Sequence, residues 1–307
     1  MSFDRERARL IGPDLFPRFS SRVGPVPLHD RPDLADAEHL LVLERNGERR
    51  GFRMKELALH HVAQGELGGE PFCLSFCVVC ATAVDLTPVH EGRVLHFSAG
   101  GWADAEGLLV DDNTGSYWDP VQGLALTGPL AGVQLPVRPV EWLTVAAARA
   151  TEPNLPVHLS EVERWHPRWL FVRYWIPRLT QAVRFPPGFH ETVGEIDPRR
   201  PLLETGLGVV AGGEARFFPL KAIHGGGSEP WLGRTLEIVP GRLGSFPQAR
   251  CADGGRPFQL LSRWYGFARR WPGTSLGGFE PSELPRLSTF IAEEPEFATS
   301  ELVSLSA

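Results

Sequence analysis

Short apolar runs bounded by Gly, Pro, Asn or Asp recur along the chain, at 40–44, 71–79, 93–98, 107–111, 235–239 and 257–261. Their length and their β-branched or aromatic content predict strands. Scattered Pro and Gly keep helices short. Two helices are expected. One covers 141–150, where Trp142, Leu143 and a run of Ala supply helix formers. The other starts near Ser160, with Glu163 at capping-box spacing, and Pro167 and Pro177 break it into pieces before Phe185. The pattern predicts an α+β fold, predominantly β: antiparallel and strand-rich, with an internal duplication and a few short helices.

The duplication is legible in two stretches. Asn46-Gly-Glu-Arg-Arg-Gly-Phe-Arg-Met-Lys-Glu-Leu57 aligns without gaps on Gly212-Gly-Glu-Ala-Arg-Phe-Phe-Pro-Leu-Lys-Ala-Ile223. Gly47 meets Gly213, Glu48 meets Glu214, Arg50 meets Arg216, Phe52 meets Phe218, Lys55 meets Lys221 and Leu57 meets Ile223. Each copy reads as strand, Gly turn, strand and helical turn, then a Gly-led apolar strand. The second copy lacks cysteines at the corresponding place. The chain divides accordingly into an N-terminal extension (1–38), a cysteine-containing first unit (39–150), a Trp/Arg-rich helical insert (151–190), a second unit packed on the first (191–280) and an acidic tail (281–307).

An apolar fraction of 42% with 22% charged residues argues against wholesale disorder. The net charge of -6 and the lack of a Lys/Arg-dense stripe offer no footprint for nucleic acid. Charges at Asp4, Arg5, Glu6, Arg7 and Arg9 fall where a signal peptide places its apolar region, and no run approaches the ~20 apolar residues of a membrane span. A cytoplasmic protein with reduced thiols is therefore expected. The segment 165–175, with Trp165, Trp169, Trp175, Arg168 and Arg173, reads either as a surface for a protein partner or as rings packed on a core.

The concentrated chemistry is a cysteine cluster. Cys77-Val-Val-Cys80 is a C-x-x-C pair, with Cys73 before it and Cys251 far downstream. On one straight strand Cys73 and Cys77 share a face about 13 Å apart, and Cys80 points away. A strand ending at Cys77, followed by a turn to Cys80, brings the pair together instead. Such a turn serves two thiolates on one metal or a closed disulfide. Zinc needs further ligands, from Cys73, Cys251 or His96, with His60, His61 and His90 behind them. Thiolates suit Cu(I) equally. A redox dithiol needs only Cys77 and Cys80, although 81–86 reads as extended, unlike a strand-to-helix junction of thioredoxin type. The plain alternative is Val-rich core packing.

The stretch Gly68-Gly-Glu-Pro-Phe-Cys-Leu-Ser-Phe-Cys-Val-Val-Cys-Ala-Thr-Ala-Val84 resembles G-G-x-P-x-x-V-T-x-C-P-x-C-G-x-A-x, the mark of domain-of-unknown-function family 3179. The likeness continues through Gly92-Arg-Val-Leu-His-Phe-Ser98, Thr114-Gly-Ser-Tyr-Trp118 and Gly206-Leu-Gly-Val-Val-Ala-Gly-Gly-Glu-Ala-Arg-Phe-Phe-Pro-Leu220, and covers most of the chain from His39 to Gly278. The family brings no activity with it. Val78 stands where it has Pro, and Ala81 where it has Gly. The resemblance also points to Asp111, Thr114, Ser116 and Trp118, with Glu106 just before them. Asp111 is the candidate general acid/base or partner of the cysteines, and a solvated hairpin turn is the other reading of 111–115.

Three functions follow. The first is a metal–thiolate protein, an enzyme or not, binding Zn or Cu through Cys77 and Cys80, with Cys73, Cys251 or His96 completing the site and Asp111 beside it. The second is a thiol–disulfide oxidoreductase using the same pair. The third is a non-catalytic module for a small molecule or protein partner. G-x-S-x-G, H-E-x-x-H and a phosphate loop with its Lys are all absent from the sequence.

Overall fold

Asn46-Gly47 and Gly212-Gly213 each turn the chain between two antiparallel strands, with φ of 49° and 80° in the first turn and 58° and 80° in the second. Left-handed values at both central positions match the twist of a two-residue hairpin. The computed structural model describes residues 3–13, 15–21, 24–104, 106–160 and 189–279. Its helices are short: α1 (Met54–His60), α2 (Val145–Thr151), α3 (His190–Val193) and α4 (Trp264–Arg270). Among the described residues no helix is long and apolar enough to cross a membrane.

The two halves share one topology and one register. Strand His39–Arg45 pairs with Glu48–Arg53, placing Leu41 opposite Phe52 and Arg45 opposite Glu48. Strand Thr205–Ala211 pairs with Glu214–Pro219, placing Leu207 opposite Phe218 and Ala211 opposite Glu214. Beside each first strand runs a later antiparallel one, with Trp142 opposite Leu41 and Leu261 opposite Leu207. Beside each second strand lies a short parallel one, with Val157 opposite Gly51 and Leu276 opposite Phe217. A helix, α2 or α4, links these two outer strands in each half. Even the backbone bonds at its start repeat. Val145 and Ala146 N–H donate to Glu38 and Asp36 carbonyls, and Trp264 and Tyr265 donate to Glu204 and Leu202. The gapless alignment of 46–57 on 212–223 is thus also the alignment of the structure.

Each half continues into a second antiparallel sheet. In the first it comprises Val62–Leu67, Glu70–Cys77, Thr82–Leu86 and Val137–Pro139; in the second, Gly227–Trp231, Arg234–Val239 and Gln248–Cys251. Between Leu86 and Val137 the first half carries an extra antiparallel sheet, formed by Phe97–Ala103, Glu106–Asp111, Tyr117–Asp119 and Leu124–Thr127 with Arg9–Leu10 at its edge.

One core joins the halves. Leu41, Phe52, Leu57, Phe76 and Trp142 of the first pack with Leu207, Phe218, Ile223, Trp231 and Leu261 of the second. Away from it the halves exchanged large and small residues. Val42 lies opposite Gly51 in one, and Gly208 opposite Phe217 in the other. Over the first sheet α2 lays Ala148, and over the second α4 lays Phe267. Large fills the space left by small.

Two elements differ from expectation. Residues 141–144 are strand, because Trp142 and Leu143 pair with Leu41 and Leu40; the helix begins only at Val145, where the Thr144 hydroxyl caps it by accepting from Ala147 N–H at 3.1 Å. The run 93–98 is split between Arg93–Val94, in a two-stranded ribbon with Val89–His90, and the strand starting at Phe97. The helix expected from Ser160, the segment 165–175 and the tail lie outside the described residues.

An alanine Cβ at Gly208 would overlap the Phe267 ring. Gly208→Ala is expected to destabilise the protein by about 1–3 kcal/mol, read as a lower urea midpoint with unchanged slope. An unchanged midpoint would contradict this account of the second unit's packing.

Candidate functional site

Strand Glu70–Cys77 ends at Cys77, residues 78–81 form a turn, and Thr82–Leu86 returns antiparallel with Thr82 opposite Cys77. The turn brings Cys80 back onto its partner, and the two sulfurs are joined in a disulfide with Cα atoms 5.3 Å apart. In place of the expected thiolate pair there is therefore a bridge. Ala81 holds the left-handed conformation, φ 54°, that a glycine would adopt without strain.

The pair is asymmetric. Cys77 is half-buried and Cys80 is 0% exposed. Cys80 shares a small apolar cluster with Phe189, Val193 and Tyr265, edged by Val79, Trp102, Leu202 and Leu203. Gly107 stands against Cys77: a Cβ there would sit 3.5 Å from the sulfur. Three parts of the chain thus meet at the bridge: the first half's hairpin, the inserted sheet through Trp102 and Gly107, and the second half through Tyr265 and 189–203.

Hydrogen bonds fix the turn from two sides. The Cys80 carbonyl accepts from Arg263 N–H at 3.0 Å and from the Thr82 hydroxyl at 3.2 Å. The Tyr265 hydroxyl donates to the Val79 carbonyl at 3.2 Å. Before the turn, Phe76 and His61 exchange two bonds, Phe76 N–H to the His61 carbonyl and the His61 ring to the Phe76 carbonyl. Desolvation pushes the His61 imidazole down to about 4, so it stays neutral.

The acidic group of this neighbourhood is Glu106, next in the chain to Gly107 and only 5% exposed. Burial raises its carboxyl to about 7; Arg270 opposes the shift and Asp119, ion-paired to Arg270, adds to it. Burial, with the nearby Glu106 carboxylate as a further cause, lifts the Tyr265 phenol well above its usual range. Asp111 sits at the other end of the same strand, about 13 Å along from Gly107 at ~3.3 Å per residue. It is fully buried and accepts from Thr114 N–H at 2.6 Å, the Thr114 hydroxyl at 2.9 Å and Trp118 Nε1 at 2.8 Å. Those bonds make it the organiser of the turn that follows.

The remaining proposed ligands are not brought to the pair. Cys73 lies mid-strand between Gln64 and Leu86, fully buried among Val62, Val84 and Phe97. Burial pushes its thiol well up, with Asp85 adding and Arg45 opposing. Cys251 is in the second half, opposite Leu236 and packed on the shared core. His96 is exposed in a loop, where its backbone N–H donates to Asn113 and its carbonyl accepts from Asp112. Among the described residues no three of His, Cys, Asp and Glu converge as a ligand set. The physical reason is the one the spacing holds: four residues along a strand separate two same-face side chains by too much for one ion. Glu106 was named beside the family's polar positions without a role, because burial by another part of the chain leaves no local signal. Tyr265 gave none either.

The family model described as "Protein of unknown function (DUF3179)" matches residues 14–227. The chain belongs to this family. Neither a curated protein nor a solved structure matches it. The family match takes in the whole cysteine hairpin and the inserted sheet apart from its edge strand Arg9–Leu10, but ends before α4, so Tyr265 and Arg263, which clamp the turn, lie beyond it.

Two outcomes are expected. Ala81→Gly relieves the left-handed strain and should raise stability by up to about 1 kcal/mol, part of the gain being offset by unfolded-state entropy; a lower melting temperature would contradict it. Glu106 binds its proton more tightly folded than unfolded, so its contribution is present below about pH 4.5 and is lost as pH rises to about 7. Glu106→Gln should flatten the fall in stability across that window, a difference on the order of 3 kcal/mol, followed by urea unfolding at a series of pH values. Parallel curves for the two proteins would contradict the burial.

Proposed function

We propose that the protein is a thiol–disulfide oxidoreductase whose working group is the Cys77–Cys80 pair. The observation that carries this is the closed bridge between one half-buried and one fully buried sulfur. We take the compartment to be the cytoplasm, and in reducing surroundings a C-x-x-C disulfide is a turnover state and not a scaffold. A bridge over so short a loop also adds little chain-entropy stabilisation compared with one closing a long loop.

Attack falls on Cys77, the less buried residue of the pair. A substrate thiolate bonds to Cys77 Sγ, the Cys77–Cys80 bond breaks, and the electron pair leaves on Cys80. A thiolate in that apolar cluster is costly, so it takes up a proton. That proton comes from the substrate's second thiol or from water. The second thiolate of a dithiol substrate then attacks the mixed disulfide at the substrate's sulfur and releases Cys77. Two electrons and two protons pass from the dithiol to the protein, which oxidises the substrate, and the reverse sequence reduces a substrate disulfide. Cys73 takes no part, because burial disfavours its thiolate.

Equilibration against a series of glutathione ratios, read by alkylation and peptide mapping, tests the proposal. One reversible two-electron couple confined to Cys77 and Cys80 is expected, with Cys73 unlabelled in the folded protein. An irreducible bridge would end the proposal. So would a reduced protein that holds stoichiometric zinc or copper on the pair, which would restore the metal–thiolate function.

A further inference from the structure

The contact that holds the cysteine turn has a counterpart made the other way round. In the first half the loop after Glu70–Cys77 carries the bridge, and the second half grips it where Phe258–Arg263 passes into α4: Arg263 N–H donates to Cys80 and Tyr265 to Val79. In the second half the corresponding loop follows Arg234–Val239, and the first half grips it where Glu141–Thr144 passes into α2. There Thr144 N–H donates to the Ser245 hydroxyl at 3.0 Å, and the Thr144 hydroxyl donates to the Leu243 carbonyl at 2.7 Å. Thr144 and Arg263 are equivalent positions, since Thr144 pairs with His39 and Arg263 with Thr205. Each half therefore holds the other's loop by the strand-to-helix junction at the end of its outer antiparallel strand. The two grips differ in what they hold. One loop has a covalent bond that can open, and the other has none.

A turn closed by a disulfide presents the Val79 and Cys80 carbonyls at fixed positions. Opening the bond frees two sulfurs that repel one another at bonding distance, so the turn must relax. Any relaxation is felt by the Arg263 and Tyr265 bonds, which reach it from the other half. Conversely, those bonds favour the bridged turn. Such a coupling is reciprocal by thermodynamic necessity.

We infer that the second half regulates the cysteine pair: Tyr265 and Arg263 select the bridged turn, so that the redox state of Cys77–Cys80 and the docking of the two halves bias one another. Tyr265 is a positioning residue in this scheme and transfers nothing itself. Its physiological sense rests on the redox role proposed above, but the coupling is measurable without it.

The experiment compares four full-length proteins by urea unfolding: oxidised wild type, oxidised Tyr265→Phe, Cys77→Ser/Cys80→Ser, and the triple variant. Tyr265→Phe should lower the folding equilibrium constant roughly five- to tenfold more in the bridged chain than in the bridgeless one. Equal losses in both backgrounds would overturn the inference. The redox equilibrium of the pair should shift by the same factor towards reduction, and a tenfold shift is a rise of about 30 mV in potential. Where Tyr265→Phe does not fold, hydrogen exchange of wild type decides. The Arg263 amide should exchange about tenfold faster after reduction, and unchanged exchange overturns the coupling. A wild type without a reversible couple would end the redox role while leaving the stability comparison to judge the coupling by itself.

Discussion

Everything in this fold depends on two half-covered sheets that must shield one another. Each half presents one apolar face to its twin, and the positions doing so are equivalent: Leu41 with Leu207, Leu43 with Val209, Phe52 with Phe218, Leu57 with Ile223. Within each half the second sheet adds to the same core, through Phe72 and Phe76 in the first and Trp231 and Leu236 in the second, while α1 and the turn Leu220–Ala222 are too small to span a sheet. At roughly 25 cal/mol per Å² of apolar surface removed from water, this mutual cover is the main force holding the halves together. It leaves the outer faces free to diverge, and there Val42/Gly51 became Gly208/Phe217.

Mutual cover also explains where the Cys77–Cys80 bridge lies. The loops after Glu70–Cys77 and Arg234–Val239, which leave the second sheets, are each held by hydrogen bonds from the opposite half. The inserted sheet then closes a third side, placing Gly107 on Cys77 and burying Glu106 beside Arg270 of α4. A second buried charge marks how the first half is tied together. Arg45, 1% exposed, donates to Asp85 at 2.7 Å, to the Leu86 carbonyl at 3.0 Å and to Thr87 and Glu70. Asp85 is nevertheless pushed up to about 6 by burial. Ala211 stands at the equivalent position, so this tie belongs to the half that carries the cysteines.

Much of the strand pattern was legible because its signals are local. Glycine turns, alternating apolar positions and the shared Gly-Glu-x-Arg-x-Phe spacing name the hairpins and pair the halves before any coordinates. The turn from Cys77 to Cys80 followed from strand geometry alone. Other features depend on remote cover and left no such mark. Residues 141–144 look helical by composition, yet pairing with 39–42 outweighs propensity. Asp111 stood out through the family resemblance, whereas the carboxylate whose burial raises its pKa is Glu106, at the opposite end of one strand. Cys251 and His96 were grouped with the pair by chemistry, and topology sends them elsewhere. Tyr265 reaches Val79 across 186 residues of sequence, a contact that only the packing of the two halves produces.

The central claim is that Cys77 is the sulfur attacked and Cys80 the one that resolves. Removing the resolving sulfur isolates it: Cys80→Ala, exposed to a small disulfide reagent at neutral pH and digested, reports which cysteine carries the mixed disulfide. A stable adduct on Cys77, formed well ahead of any on Cys251 and absent from Cys73, is the predicted result. Labelling confined to Cys251, with Cys77 silent in the folded protein, would contradict the account.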